Sequence, residues 1–141
     1  MRRALHDGYE LDDDPARIDR AAVHAYLSEE SYWAHGRTRA VVDDLVASAS
    51  RVTGLYAPDG SQVGFARTVS DGHTVSYLAD VFVLEGHRRR GLGLELVRFT
   101  VDEGAQRVTR WLLHTRDMQH LYEKLGFGAP SDRLMERPRR T

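Results

Sequence analysis

The sequence predicts a mixed α+β fold: a central, mostly antiparallel sheet of about six to seven strands with helices on both faces. Three observations predict it. Apolar residues recur at helical spacing in the first third of the chain, alternate at strand spacing in the middle, and return to helical spacing after residue 91. Pro-Asp-Gly and Asp-Gly turn signals separate the strand-like runs, which marks antiparallel neighbours. The 141 residues, 41% of them hydrophobic, suit one domain, read here as residues 1–141 around a shared core.

The elements follow in order. Residues 8–11 form a first strand, ended by the turn-forming run Asp12, Asp13, Asp14, Pro15. Asp19 caps a helix that presents Val23, Tyr26 and Leu27 on one face. Thr38 caps a second, with Val41, Val42, Leu45 and Val46 as its apolar stripe. Strands at 51–57 and 62–70 join through Pro58, Asp59 and Gly60. After Asp71 and Gly72, residues 73–84 are the longest β-rich stretch. A helix starts near Gly91, with Leu92, Leu96 and Phe99 on one face. Residues 111–114 make a short strand, and 117–124 a helix stopped by Gly126. Leu134 and Met135 are read as a last edge strand before a solvated basic tail. The resulting order is β-α-α-β-β-β-α-β-α-β.

Composition excludes several function classes. Twenty Lys+Arg against 21 Asp+Glu leave a net charge of −1, so broad attraction to nucleic acid is not expected. No apolar run is long enough to span a membrane, and the start of the chain lacks the apolar stretch of a signal peptide. The cytoplasm is therefore the expected location. Cysteine is absent, which removes disulfides, thiolate metal sites and a cysteine nucleophile. No His-x-x-x-His spacing occurs, so no catalytic metal is expected.

The most informative segment runs from Val81 to Leu96. A strand leads into a short loop, and a helix begins at the closely spaced Gly91 and Gly93. Glycine lets backbone approach a ligand closely, and the first-turn N–H groups of a helix have no intrahelical partner. Their positive dipole end and the adjacent Arg88, Arg89 and Arg90 favour a phosphate group. A nucleotide-triphosphatase loop would need Lys and Ser/Thr where Leu92 and Gly93 stand. A dinucleotide fingerprint would need a third glycine where Leu96 stands.

What fits is R-x-x-G-x-G, Arg88 to Gly93, which resembles the acetyl-CoA pyrophosphate motif of the GNAT N-acetyltransferase superfamily. A second run, Leu121, Tyr122, Gly126 and Phe127, is similar to that superfamily's last signature. Together the two cover residues 77–127. The resemblance implies acetyl-CoA as cosubstrate and an amine-bearing acceptor, acetylated directly without an acyl-enzyme. It also implies the residue roles. Val81, Phe82 and Val83 match the strand whose backbone holds the pantetheine and the acetyl carbonyl. Arg88, Arg89, Arg90, Gly91, Leu92, Gly93 and Leu94 match the pyrophosphate loop. Tyr122 matches the acid that protonates the departing thiolate, against the plainer reading of a packed aromatic.

The base is open. Asp80 lies in the strand where relatives often carry acids, with His114 and His73 as further candidates. Asp80 is equally readable as a hydrogen-bonded structural group, and for the two histidines that reading is the favoured one. Ala79 stands where some polyamine-acetylating members carry Glu, which argues against a polyamine acceptor. Tyr32, Trp33, Tyr77 and His114 are the candidate acceptor-binding residues, and Glu29 or Glu30 would attract an amine; Trp33 also reads as a plug between helices. A catalytically silent acyl-CoA-binding regulatory module is the alternative function. Edge strands in such domains suggest a homodimer.

Overall fold

Alternating apolar residues in the middle of the chain become the inner strands of a six-stranded sheet. A computed structural model describes residues 1–140. The strands are β1 (Arg2–Ala4), β2 (Glu10–Asp12), β3 (Arg51–Tyr56), β4 (Gln62–Ser70), β5 (Val75–Val83) and β6 (Arg110–Leu113). They lie side by side in chain order, antiparallel except for the parallel pair β5 and β6. A parallel neighbour needs a crossover, and helix α3 (Leu92–Asp102) supplies it. Helices α1 (Arg20–Glu29) and α2 (Arg39–Ser48) precede the central strands, and a short α4 (Gln119–Glu123) follows β6.

Each face of the sheet carries its own core. Val23, Tyr26 and Leu27 of α1 and Val42 and Val46 of α2 bury against Val52, Phe65 and Phe82. Leu92, Leu96, Val97 and Phe99 of α3 bury against Leu11, Leu55, Val63 and Leu78. The caps named from the sequence form: Asp19 accepts from the Ala22 amide and Thr38 from the Val41 amide. At the far end of α3, the buried Arg51 donates to the carbonyls of Phe99, Thr100 and Glu103 and pairs with Asp13 at 3.1 Å. Those last-turn carbonyls have no intrahelical partner, so Arg51 fixes the axis of α3 and with it the position of its N-terminus.

Two expectations need correction. The single strand at 8–11 is the second arm of a hairpin, whose turn holds Asp7 and Gly8 at positive φ. Within it Asp12 is not a turn residue; it ends β2, buried, with Arg17 donating to it. The edge strand at Leu134 and Met135 does not form: both are exposed, and Pro138 and flanking charges leave too short an apolar run to pair. The order is therefore β-β-α-α-β-β-β-α-β-α.

One side chain in the sheet is unsatisfied. The Thr68 hydroxyl on β4 is buried without a hydrogen-bond partner. Thr68→Val keeps the shape and removes that desolvated group, so it should stabilise the protein by about 1 kcal/mol. A thermal melt showing a lower Tm than the parent would refute this.

Candidate active site

The parallel pairing of β5 with β6 stops at Leu78 opposite Leu113. Beyond it the two strands part, and residues 79–83 lose a partner on that side. The Leu84 amide donates to the Val63 carbonyl, and Phe82 faces Phe65 on β4. Strand alternation then turns the peptide groups of Val81 and Val83 toward the gap. The Phe82 side chain faces away, stacked on Tyr26 at 4.0 Å between ring centroids. The gap opens into a cleft of about 1240 Å³ between the strand edge, the start of α3, α4 and the α1–α2 connection.

At one end of the cleft lies the glycine turn. Gly91 has φ +76°, which strains any other residue, and a Cβ there would meet no atom within 4 Å. Gly93 sits against Leu121 of α4, whose Cδ1 is 3.5 Å from where a Cβ would stand. The amides that begin α3 have no side-chain cap and open onto the cleft beside Leu92 and Leu94. The three arginines divide. Arg88 turns inward, donating to the Val83 carbonyl at 2.8 Å and the Tyr26 hydroxyl at 3.0 Å, so it braces the loop. Arg90 does not line the cleft, and its carbonyl contacts His6. Arg89 lines the cleft and has no hydrogen-bond or ion-pair partner among the described residues.

Across from the turn stands Tyr122. Burial pushes its phenol up to about 12, with the neighbouring Tyr32 adding slightly. It is therefore a protonated donor at neutral pH. Its ring meets Phe127 edge-on at 5.8 Å, and Gly126 at φ +88° ends the helix just beyond.

The other end of the cleft is built on Asp80. It sits at a β-bulge, where residues 80 and 81 oppose Ala66 alone, with φ +55°. Its Oδ1 accepts from the Trp33 indole at 2.8 Å; its Oδ2 accepts from Arg67 at 2.8 Å and Arg37 at 3.0 Å. Burial alone would raise this carboxyl. The charges of Arg67 and Arg37 outweigh it and hold the group below the usual carboxylate range. Beside it the Tyr77 hydroxyl meets His114 Nδ1, and His114 Nε2 meets Glu136 at 2.7 Å. Tyr32 closes the mouth: the Arg116 guanidinium lies 3.9 Å over its ring, and the Arg116 amide donates to its hydroxyl.

The chain matches the model of the acetyltransferase (GNAT) family over residues 20–127. It belongs to the GNAT acetyltransferase family. A crystal structure of a GNAT acetyltransferase candidate from Xanthomonas campestris pv. campestris is 33% identical, covers 96% of this chain and 95% of its own, and superposes with a TM-score of 0.87. An acetyltransferase candidate of Gibberella zeae is 29% identical over 82% of this chain and 76% of its own length. AAC(6')-Iy, solved with the bisubstrate analog CoA-S-monomethyl-acetylneamine, shares the fold with a TM-score of 0.63 at 19% identity, over 93% of this chain and 98% of its own.

GNAT proteins use acetyl-CoA, and the residues present fit it. The open space over Gly91, the uncapped helix amides and the unpartnered Arg89 suit a pyrophosphate, and the stretch of β5 with no strand beside it suits an extended amide chain. Of the residues given a catalytic, cosubstrate-binding or acceptor-binding role from the sequence, all but Glu29, His73 and Arg90 line this cleft. His73 sits in the β4–β5 turn, held through its backbone amide by Asp71. Sequence reasoning passed over Arg67, Arg116 and Glu136. Their partners are 13 to 84 residues away, so no local pattern marks them. Among the described residues no group of three metal-ligating side chains occurs, and no helix is long and apolar enough to cross a membrane.

Proposed function

We propose that this GNAT protein transfers the acetyl group of acetyl-CoA directly to a primary amine in a ternary complex. The observation that carries the reading is the edge of Val81 and Val83 beyond the last β5–β6 pair, where no strand lies alongside and only the Val83 carbonyl is engaged, by Arg88; it runs from the Asp80 end of the cleft to the glycine turn. When bound, acetyl-CoA supplies an activated thioester carbonyl. The amides from Gly91 to Leu94 and the charge of Arg89 hold its pyrophosphate. A backbone N–H of the 81–83 edge holds the carbonyl oxygen, where negative charge develops. Tyr122 hydrogen-bonds the departing sulfur and hands it a proton.

The amine must lose a proton, and Asp80 is poorly placed to take it. Both its oxygens are engaged by N–H donors, so it acts as a positioning residue for Arg37 and Arg67. His114 takes that role. With Nε2 protonated toward Glu136, its Nδ1 accepts from Tyr77. The Tyr77 oxygen takes the amine proton as its own passes to Nδ1, and Glu136 then pairs with the imidazolium.

Free thiol released from acetyl-CoA by a library of primary amines tests the reading. Acetyl-CoA binding without release on any amine would favour the silent module instead. Gly91→Glu, which sets bulk, strain and negative charge against the pyrophosphate, should weaken acetyl-CoA binding at least about 100-fold. Calorimetry finding parental affinity would remove the turn from the site.

A further inference from the structure

Asp80 takes up only one N–H from each of two guanidinium groups. A guanidinium has five such donors in a rigid fork. Arg67 uses Nε on Asp80 and Arg37 uses one terminal nitrogen. Neither guanidinium makes another hydrogen bond among the described residues. Both side chains are largely buried, 13% and 20% exposed, yet none of their nitrogens is sealed off without a partner. Both line the cleft, beside Trp33 and Tyr77. The unused donors therefore face cleft solvent. They come from two different elements and are set by a shared buried carboxylate.

The charge does not cancel. Within the cluster itself two guanidiniums against one carboxylate leave an excess of one positive charge, with Glu136 set apart behind His114. That charge repels a plain ammonium or a diamine. It attracts an anion, and the planar fork matches a carboxylate with two parallel hydrogen bonds. Glu30, on the same cleft wall, offers the opposite sign to an ammonium group.

We propose that Arg37 and Arg67, locked together by Asp80, form a carboxylate clamp, and that the acceptor is an amine that also carries a carboxylate. This rests on the transfer reading above and names its substrate class: amino acids and related amino carboxylates. Trp33 is part of the device, since its indole shares Asp80 and so reports on occupancy of the clamp.

The test uses the full chain with two readouts. Thiol release is measured for the proteinogenic amino acids and longer ω-amino carboxylates, each against its own amide, with 1,4-diaminobutane and aminomethylphosphonate as further arms. In a Trp111→Phe background, Trp33 emission is titrated with the same compounds in the presence of CoA. At least one carboxylate should exceed its amide about 10-fold or more in kcat/KM, the scale of a charge-assisted pair. Arg67→Gln and Arg37→Gln should each erase that preference by raising KM, with acetyl-CoA affinity within about twofold of the parent. If the Gln variants do not fold, Arg67→Lys keeps charge without the fork and should lose the preference too. Amides or the diamine matching the carboxylates would overturn the clamp, as would a preference that survives both substitutions. Superiority of the phosphonate would replace carboxylate by phosphate chemistry and also overturn it. A carboxylate-specific Trp33 response without thiol release from any amine would keep the clamp and sink the transfer reading. Silence of both readouts across the carboxylates overturns the clamp.

Discussion

Tyr122→Phe is expected to lower turnover about 100-fold while leaving acetyl-CoA affinity within about twofold of the parent. The direction follows from chemistry and the size from the phenol's environment. Burial holds the group up to about 12, so essentially every molecule carries the proton at neutral pH. The same shift makes it a reluctant acid. It hydrogen-bonds the forming thiolate first and hands over its proton late, which puts its effect near the low end for acid catalysis. Phenylalanine keeps the edge-on contact with Phe127, so the core beneath should hold. Steady-state thiol release and calorimetry of acetyl-CoA binding separate the two effects. Parental turnover in the variant would take Tyr122 out of the mechanism. Turnover of the parent should also show no loss from tyrosine ionisation as pH rises from 7 to about 10, two units short of that phenol.

Asp80→Ala should cost about 3 kcal/mol of stability at pH 7, the scale of removing one partner from a buried ion cluster. The carboxylate is 3% exposed and holds Arg37, Arg67 and Trp33 together. Without it, two largely buried guanidiniums face each other with no counterion. Backbone geometry adds a second component. At φ +55° alanine is strained and glycine is not, so Asp80→Gly should be less destabilised than Asp80→Ala by about 1 kcal/mol. The pH dependence has a definite sign. Because the folded carboxyl is held below its unfolded value, its contribution is present above about pH 4. It is lost as pH falls further, through the folded value. Urea unfolding of parent and variant should therefore differ fully at pH 7 and converge only at pH below about 4. Equal midpoints at pH 7 would mean that the cluster contributes nothing.

Much of this was legible in the sequence because its causes are local. The caps Asp19 and Thr38, the Pro58-to-Gly60 turn and the apolar stripe of α3 each declare themselves within a few residues. Gly91 and Tyr122 sit in short motifs, so both could be marked as site candidates before the fold was known. The charge arrangement at the Asp80 end could not. Asp80 was visible as an acid on a strand. Its engagement by Arg37 and Arg67 depends on a bulge and a loop that bring residues 43 and 13 positions away onto one oxygen. Glu136 lay in a stretch read as edge strand and tail, yet it reaches His114, 22 residues back. The hairpin at the start of the chain was missed because Arg2–Ala4 is three exposed residues whose only reason to be a strand is β2 beside them.

The parting of β5 from β6 has a consequence for how the protein breathes. β6 is held by four backbone pairs on one side, and none of its residues is fully buried. The arm from Arg110 through α4 should therefore open sub-globally, well below the free energy of complete unfolding. Its amides, with those of Val81 and Val83, should exchange with deuterium faster than those of β3 and β4. A cosubstrate seated in the gap fills the place of the missing strand, so one binding event should slow exchange on both lips together. The cleft is thus also a seam, and closing it with a ligand should knit the two parts of the sheet into one cooperative unit.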